Sequence, residues 1–248
     1  MGSEAAYAPF KFVPAFGTQS TPADFKGTTL VMPTVSAGGS PFLAVDLFVC
    51  NDAVTKAGYL KSEYLAPLVQ NDTLRLEGDA PGQIQMPVVL YTTADKRYTF
   101  LVCRTSVVSG QMRQFAGALG QFIAEAGFKG VTILTSTVSP VGRGRESNRQ
   151  IPELLGYVNN FQYKQSLSGG QSYYDAHQIQ KFGHWLGDMK KKPFQEMQEL
   201  LGSGAAGKLM KALNRMEIPA QLFVIFTPGG HDFVGGFTFY QFLKNSFD

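Results

Sequence analysis

Eight consecutive residues, Thr28-Thr-Leu-Val-Met-Pro-Thr-Val35, are apolar or β-branched, and Ser36-Ala-Gly-Gly-Ser40-Pro41 follows them at once. A run of this length ending in a glycine turn reads as a strand buried on both faces. Ser40 suits an N-cap and Pro41 a first helical position, so a helix begins there. Phe42, Leu43, Val45, Leu47, Phe48, Val49 and Val54 spread around most of that helix, and Gly58 ends it. Strand, tight loop and helix open an α/β layered fold, and a helix apolar on more than one side has to be covered twice.

The rest of the chain continues the pattern. Ile84 to Thr93 and Tyr98 to Ser106 flank Ala94-Asp95-Lys96-Arg97 as a hairpin, which makes the sheet mixed rather than purely parallel. Met112, Phe115, Ala116, Leu119, Ile123 and Ala126 recur at helical spacing, and Gly127 stands where a left-handed C′ residue belongs. Gly130 to Thr137 reads as a buried strand. Helical pattern returns over 175–186, 193–201 and 208–216, followed by a strand over 221–227 and an aromatic-rich helix from Val234 to about Phe247. The fold predicted is one α/β domain over 28–248, a mixed and mostly parallel central sheet flanked by helices in three layers, of Rossmann-like or phosphorylase-like kind. Residues 1–27 are expected as an irregular arm, and about 138–171 as a loop-rich insertion.

Composition removes several classes of function. The 248 residues are enough to bury roughly 70–75% of the unfolded surface. The longest apolar runs are far shorter than the ~20 residues that cross a bilayer, and no basic, then apolar leader opens the chain, so a soluble intracellular protein is expected. Two cysteines cannot form a disulfide framework, and Cys50 and Cys103 are expected as reduced core residues. A net charge of +3 is too weak to point to nucleic acid or a membrane surface.

Motifs for chemistry are weak. Gly202-Ser-Gly-Ala-Ala-Gly207-Lys208 satisfies two nucleotide-loop patterns, but the segment ahead of it reads as helix where a phosphate loop leaves a strand, and Leu209 replaces the hydroxyl that would hold Mg²⁺. His177 and His184 lack a third metal ligand at suitable spacing. His231, beside a capping Asp232, reads as a structural loop residue. Arg143, Arg145 and Arg149, and Lys190-Lys191-Lys192, lack the interleaved aromatics of a single-strand nucleic-acid site. No catalytic residue, cofactor or metal is predicted. What stands out is 20 Phe and 10 Tyr without an acid, base and nucleophile, a profile that suits a protein that binds proteins.

Thr29-Leu-Val-Met-Pro-Thr-Val-Ser-Ala-Gly38, Ala44-Val-Asp46-Leu, Gly58-Tyr59 and Leu65-Ala-Pro67-Leu-Val69-Gln-Asn71-Asp closely resemble the proteasome assembly chaperone family. Weaker similarity runs through Phe12-Val13-Pro14, Arg97 to Ser106, Val131 to Ser139, Leu201 to Leu213 and the closing strand-loop-helix. The resemblance implies a non-enzymatic protein that pairs with proteasome assembly chaperone 1, helps order the α subunits of the core particle and prevents off-pathway association of α-rings, in the cytoplasm and the nucleus. It also implies a C-terminal contact with an α-subunit pocket through a hydrophobic-tyrosine-any motif; the matching positions are Ser246, Phe247 and Asp248, with Phe in place of Tyr and Ser in place of the hydrophobic residue. For the chaperone partner, Phe42, Val45, Phe48 and Val49 on the apolar helix are the expected contacts. Two other readings use different features: a phosphorylase- or hydrolase-like enzyme of nucleotides or sugar phosphates built on the glycine loops at 36–40, 202–207 and 228–230, and an adaptor using the Arg143 to Arg149 loop.

Overall fold

The computed structural model describes residues 9–51, 53–71, 84–138, 154–159, 204–227 and 230–247. In chain order these form β1 (Lys11–Pro14), β2 (Thr29–Pro33), α1 (Ser40–Asn51), β3 (Val54–Lys61), β4 (Gln70–Asn71), β5 (Ile84–Gln85), β6 (Val88–Thr93) and β7 (Tyr98–Cys103). They continue with α2 (Met112–Ala126), β8 (Gly130–Val138), β9 (Leu154–Asn159), α3 (Ala206–Arg215), β10 (Ala220–Thr227) and α4 (Phe233–Phe247).

The strand order of the main sheet is β1-β3-β6-β7-β2-β8-β10-β9. At its centre β2 runs parallel to both β7 and β8, and β10 runs parallel to β8. One flank is an antiparallel meander of β6, β3 and β1, and the other edge is the antiparallel β9. Alternation along the central strands divides the core in two. Leu30, Met32, Val131, Ile133, Leu222 and Val224 pack beneath α2 and α3. Val31, Phe100, Leu134, Phe223 and Ile225 face the opposite way, beneath α1 and α4. This is the expected three-layer α/β domain, with helices on both faces because the parallel strands are apolar on both.

Local chemistry explains the joints. In the predicted hairpin, Asp95 Oδ1 accepts from Thr93 Oγ1 at 2.6 Å and from the Arg97 amide at 3.0 Å, and these bonds hold the carboxyl down at about 2. Gly127 ends α2 with φ +72°, the left-handed cap foreseen for it.

Several expectations change. The arm is tied into the fold: β1 pairs with β3, and Phe10 and Phe25 are buried in the core under α2. Its isolated aromatics carried that information, because each of those two rings fills a core site rather than decorating a loop. Helix α1 ends at Asn51 and Val54 starts β3, so Gly58 is a strand residue and not a helix stop. A Cβ there would lie 2.5 Å from the Val13 carbonyl and 2.6 Å from the Phe12 ring, so glycine is what lets β1 close on β3. Ser40 is the first residue of α1 and not its cap. Strand β9 falls inside the stretch expected as loop; the rest of that stretch from Ser139, the helices expected at 175–186 and 193–201, the two histidines and the basic clusters lie outside the described residues. Cys50 is exposed at the end of α1 and not a core residue, while Cys103 is mostly buried with its thiol pushed up to about 11 by desolvation.

Candidate functional site

Two regions of the fold hold the residues singled out by sequence. The first is the end of the sheet where β2, β8 and β10 finish, and where the glycine loops meet. Gly38 turns with φ +74°, and a Cβ on it would touch Thr227 Oγ1 at 2.7 Å and the Asp232 side chain at 3.0 Å. Gly204, with φ +61°, lies so close to the Val35 carbonyl that a Cβ would sit 1.9 Å from it. The glycines are therefore packing residues that let three loops stack on one another.

Hydroxyls knit the floor of this crevice. Thr34 Oγ1 donates to Thr135 Oγ1 at 2.9 Å, and Ser36 Oγ lies 2.8 Å from Ser136 Oγ while accepting from the Ser136 amide at 3.0 Å. Above them the buried Asp232 carboxylate caps α4, with Oδ1 accepting from the Gly235 amide at 2.8 Å, and Oδ2 accepts from Ser40 Oγ at the start of α1 at 3.3 Å. The Asp232 amide in turn donates to the Gly38 carbonyl at 3.0 Å. A phosphate-binding crevice needs donors directed at open space. Here the Asp232 side chain already takes the Gly235 amide at the N-terminus of α4 and the Ser40 hydroxyl at the start of α1. His231 is exposed beside it, with its ring 6.5 Å from that of Phe233. Among the described residues, the loops at this end of the sheet bond to one another and direct no set of donors at a shared open point.

The second region is the layer of α1 and α4. Of the four residues expected to meet a chaperone partner, three do not reach the surface. Val45 and Val49 are fully buried, and Phe48 packs its ring 4.9 Å from Phe100. A second apolar side of α1 is covered by the chain's own α4, which runs along it. Sequence reasoning failed here because Gly235-Gly236 on α4 permits a closer approach than the count of apolar residues implies: a Cβ at Gly236 would lie 2.6 Å from Leu43 Cδ2.

Phe42 keeps a half-buried ring at the rim, with the Arg104 guanidinium 5.7 Å from its centre. Arg104 also pairs with Asp46 one turn further along α1. Desolvation raises the Asp46 carboxyl above its ordinary value, with the Arg104 charge pulling the other way. The C-terminal residues expected at an α-subunit pocket are placed only in part: Ser246 and Phe247 end α4, and Asp248 lies outside the described residues.

Sequence reasoning missed the outer side of α4. Phe233 is 71% exposed, Val234 57% and Phe237 54%, whereas Gly235, Gly236, Phe239, Tyr240 and Leu243 turn inward. The signal was the glycine pair, which marks the inward side and so assigns the flanking aromatics outward. Elsewhere, a groove of about 420 Å³ runs past Asp24, Thr55, Thr92 and Lys96, and the Asp24 carboxyl at its rim is held by the Thr21 amide and hydroxyl. Among the described residues no three metal-ligating side chains cluster, and no helix is long and apolar enough to cross a membrane.

A family model described as the PAC2 family matches residues 30–233, from the first buried strand to the start of α4. The chain belongs to the PAC2 family. Within that family's named proteins, it is 24% identical over 224 residues to Proteasome assembly chaperone 2 of Nematostella vectensis, covering 90% of each chain. It is 27% identical over 128 residues to the Homo sapiens protein of the same name, covering 52% of this chain and 47% of that one. The PAC2 fold is also what solved structures show. PbaA of Pyrococcus furiosus, described as an archaeal homolog of proteasome-assembly chaperone, matches with TM-score 0.65 at 12% identity, over 96% of this chain and 86% of that one. PbaB of the same organism, described as an archaeal proteasome activator, matches with TM-score 0.59 at 12% identity, over 95% and 88%. The curated relatives are named as chaperones, a non-catalytic family.

Proposed function

We propose that this PAC2-family chain is a non-catalytic assembly factor of the proteasome core particle, which pairs with proteasome assembly chaperone 1 and guides α subunits into a ring while keeping unfinished rings apart. The observation that carries the reading is the match over 90% of the chain to a protein named Proteasome assembly chaperone 2. The aromatic content and the absence of an assembled acid, base and nucleophile among the described residues agree with work done by contact rather than by chemistry. Phe42 is the sequence-predicted partner contact that retains exposed surface, with Val45, Phe48 and Val49 acting from beneath by holding α1 in place. Ser246, Phe247 and Asp248 are proposed as the contact with an α-subunit pocket, the Phe247 ring serving where the family motif has tyrosine. The place of action is the cytoplasm, with the nucleus as a second compartment.

The test is affinity isolation of the tagged chain from its own cells, resolved on native gels and by mass spectrometry. Recovery of proteasome assembly chaperone 1 with α subunits, and without mature β subunits, is the expected result. A lone chain free of both overturns the reading. Removal of residues 246–248 is expected to lower α-subunit recovery while chaperone 1 stays bound; equal recovery of α subunits removes the C-terminal contact from the proposal.

A further inference from the structure

Four hydroxyl residues of this chain stand directly before a proline: Thr21, Ser40, Ser139 and Thr227. Such a pair is what a proline-directed protein kinase modifies, provided that the chain there is extended and accessible, and the proline ring itself drives the residue before it toward extended backbone. The fold sorts the candidates. Ser40 and Thr227 are buried, at 0% and 1% exposure, and Ser139 lies outside the described residues. Thr21 is exposed, and its backbone is extended with φ −127° and ψ 163°. Gln19 ahead of it and Pro22, Ala23 and Asp24 behind it are exposed as well, so the pair lies in a stretch that a second protein can reach.

The same geometry gives a modification here a structural consequence. Thr21 heads the 3-10 turn Pro22–Phe25, where its amide donates to Asp24 Oδ2 at 2.7 Å and its hydroxyl donates to the same oxygen at 3.1 Å. These two bonds hold the Asp24 carboxyl below its ordinary value, so it is ionised at neutral pH. The next residue, Phe25, is buried, with its ring 5.4 Å from that of Phe12 in β1 and stacked 5.7 Å from that of Phe128 just beyond α2. One ring therefore ties the turn to the edge strand and to the core. A phosphate on the Thr21 oxygen carries a charge of about −1.5 to −2, and the oxygen that bears it has no proton left to donate. It exchanges a hydrogen bond for like-charge repulsion at the point where the turn is closed. Lys96, whose charge already acts on Asp24 across the groove they both line, offers the displaced phosphate a cation.

We propose that Thr21 is a phosphoryl-acceptor site for a proline-directed protein kinase, and that its phosphate opens the turn at 22–25 and loosens the arm that Phe25 pins to the sheet. In the transfer, the Thr21 oxygen bonds to the γ-phosphorus of a nucleoside triphosphate and the bond from that phosphorus to the β–γ bridging oxygen breaks. The diphosphate leaves, and the hydroxyl proton passes to the catalytic carboxylate of the kinase. The chain is the substrate of this step and not its catalyst, so the site stands independently of the assembly reading.

The test incubates the full chain with a purified proline-directed kinase and ATP, and locates the product by intact mass and fragmentation. Phosphate at Thr21 is expected, absent from Thr21→Ala and formed roughly tenfold more slowly on Pro22→Ala. A full chain left unmodified at Thr21, under conditions that modify the free peptide 16–26, overturns the site, because the fold then withholds it. Phosphate confined to Ser139 overturns it as well, and an unchanged rate on Pro22→Ala overturns the class of kinase. Hydrogen exchange reads the second half of the proposal. The amides of Asp24, Lys26 and Thr28 donate to the carbonyls of Thr21, Ala23 and Phe25, and they are expected to exchange roughly tenfold faster in the phosphorylated chain. Asp24→Asn, which removes the repelling charge, is expected to shrink that acceleration. Unchanged exchange at these three amides on phosphorylation overturns the opening of the turn.

Discussion

Leu43 of α1 rests on Gly236 of α4 so closely that a methyl group on the glycine would stand 2.6 Å from Leu43 Cδ2. The two residues are far apart in sequence, yet their fit sets the spacing of one whole helical layer. Gly236→Val is expected to destabilise the fold by about 1–3 kcal/mol, since the packed helices must separate or distort. Leu43→Ala in the same chain is expected to recover part of that loss, giving a favourable coupling in a double-mutant cycle read by urea unfolding. Additive losses would show that the contact does not set the spacing.

Asp232 joins three parts of the chain: the Gly38 turn, the first residue of α1 and the N-terminus of α4. Asp232→Ala removes the cap of α4 and leaves the Ser40 hydroxyl buried without its side-chain acceptor, so a loss of about 1–3 kcal/mol is expected. Asp232→Asn keeps an oxygen for the Gly235 amide and is expected to lose less. Thermal unfolding of the two variants side by side checks the order; an equal loss would mean that the cap contributes little.

The Asp46–Arg104 pair makes a prediction that depends on pH. Burial raises the Asp46 carboxyl and Arg104 opposes that rise, so removing the cation penalises the charged carboxylate and leaves the protonated acid nearly untouched. The sign follows from this: the cost of Arg104→Ala is largest where Asp46 is ionised, at neutral pH, and shrinks as the pH falls through its raised pKa. A loss of about 1–3 kcal/mol is expected at pH 7, and a smaller one near pH 4. Urea unfolding at both values measures it. An equal loss at the two pH values would assign the role of Arg104 to its packing on Phe42 instead.

The cysteines differ in access. Cys50 is exposed, and although burial of its surroundings raises its thiol somewhat, it is the one a maleimide reaches first. Cys103, raised to about 11 from an ordinary value near 9, is protonated and shielded at neutral pH. One label per native chain at pH 7.5 is expected, located at Cys50 by mass spectrometry, with the second appearing on unfolding. Because the folded thiol holds its proton more tightly than the unfolded one, its contribution to stability is present below pH 9 and fades as the pH rises toward 11. Rapid labelling of Cys103 in the native protein would contradict the burial.

Periodicity and punctuation made much of the architecture legible. The β2 run, the hairpin around Asp95, α2 with Gly127 behind it, and β10 followed by α4 all follow from local rules that a chain obeys before it folds. The buried faces of single elements follow as well, since strand alternation is a property of the backbone. The boundary of α1 was misread because Val54 and Gly58 satisfy a helical pattern and a strand pattern alike. Position beside β1 decided between them: glycine at 58 is what admits Phe12 and the Val13 carbonyl.

The candidate site was less legible for a different physical reason. Apolar residues all round α1 required a second cover, and sequence alone cannot say whether that cover comes from the same chain or another. Composition and local pattern by themselves determined a layered α/β protein rich in aromatics and poor in catalytic groups. Only tertiary structure decided that Val45, Phe48 and Val49 are interior and that Phe233, Val234 and Phe237 are not. Hydrophobicity is a property of each residue, whereas burial depends on which segments come into contact. Here that choice was made by two glycines on α4, which let a helix near the end of the chain take the place expected for a partner.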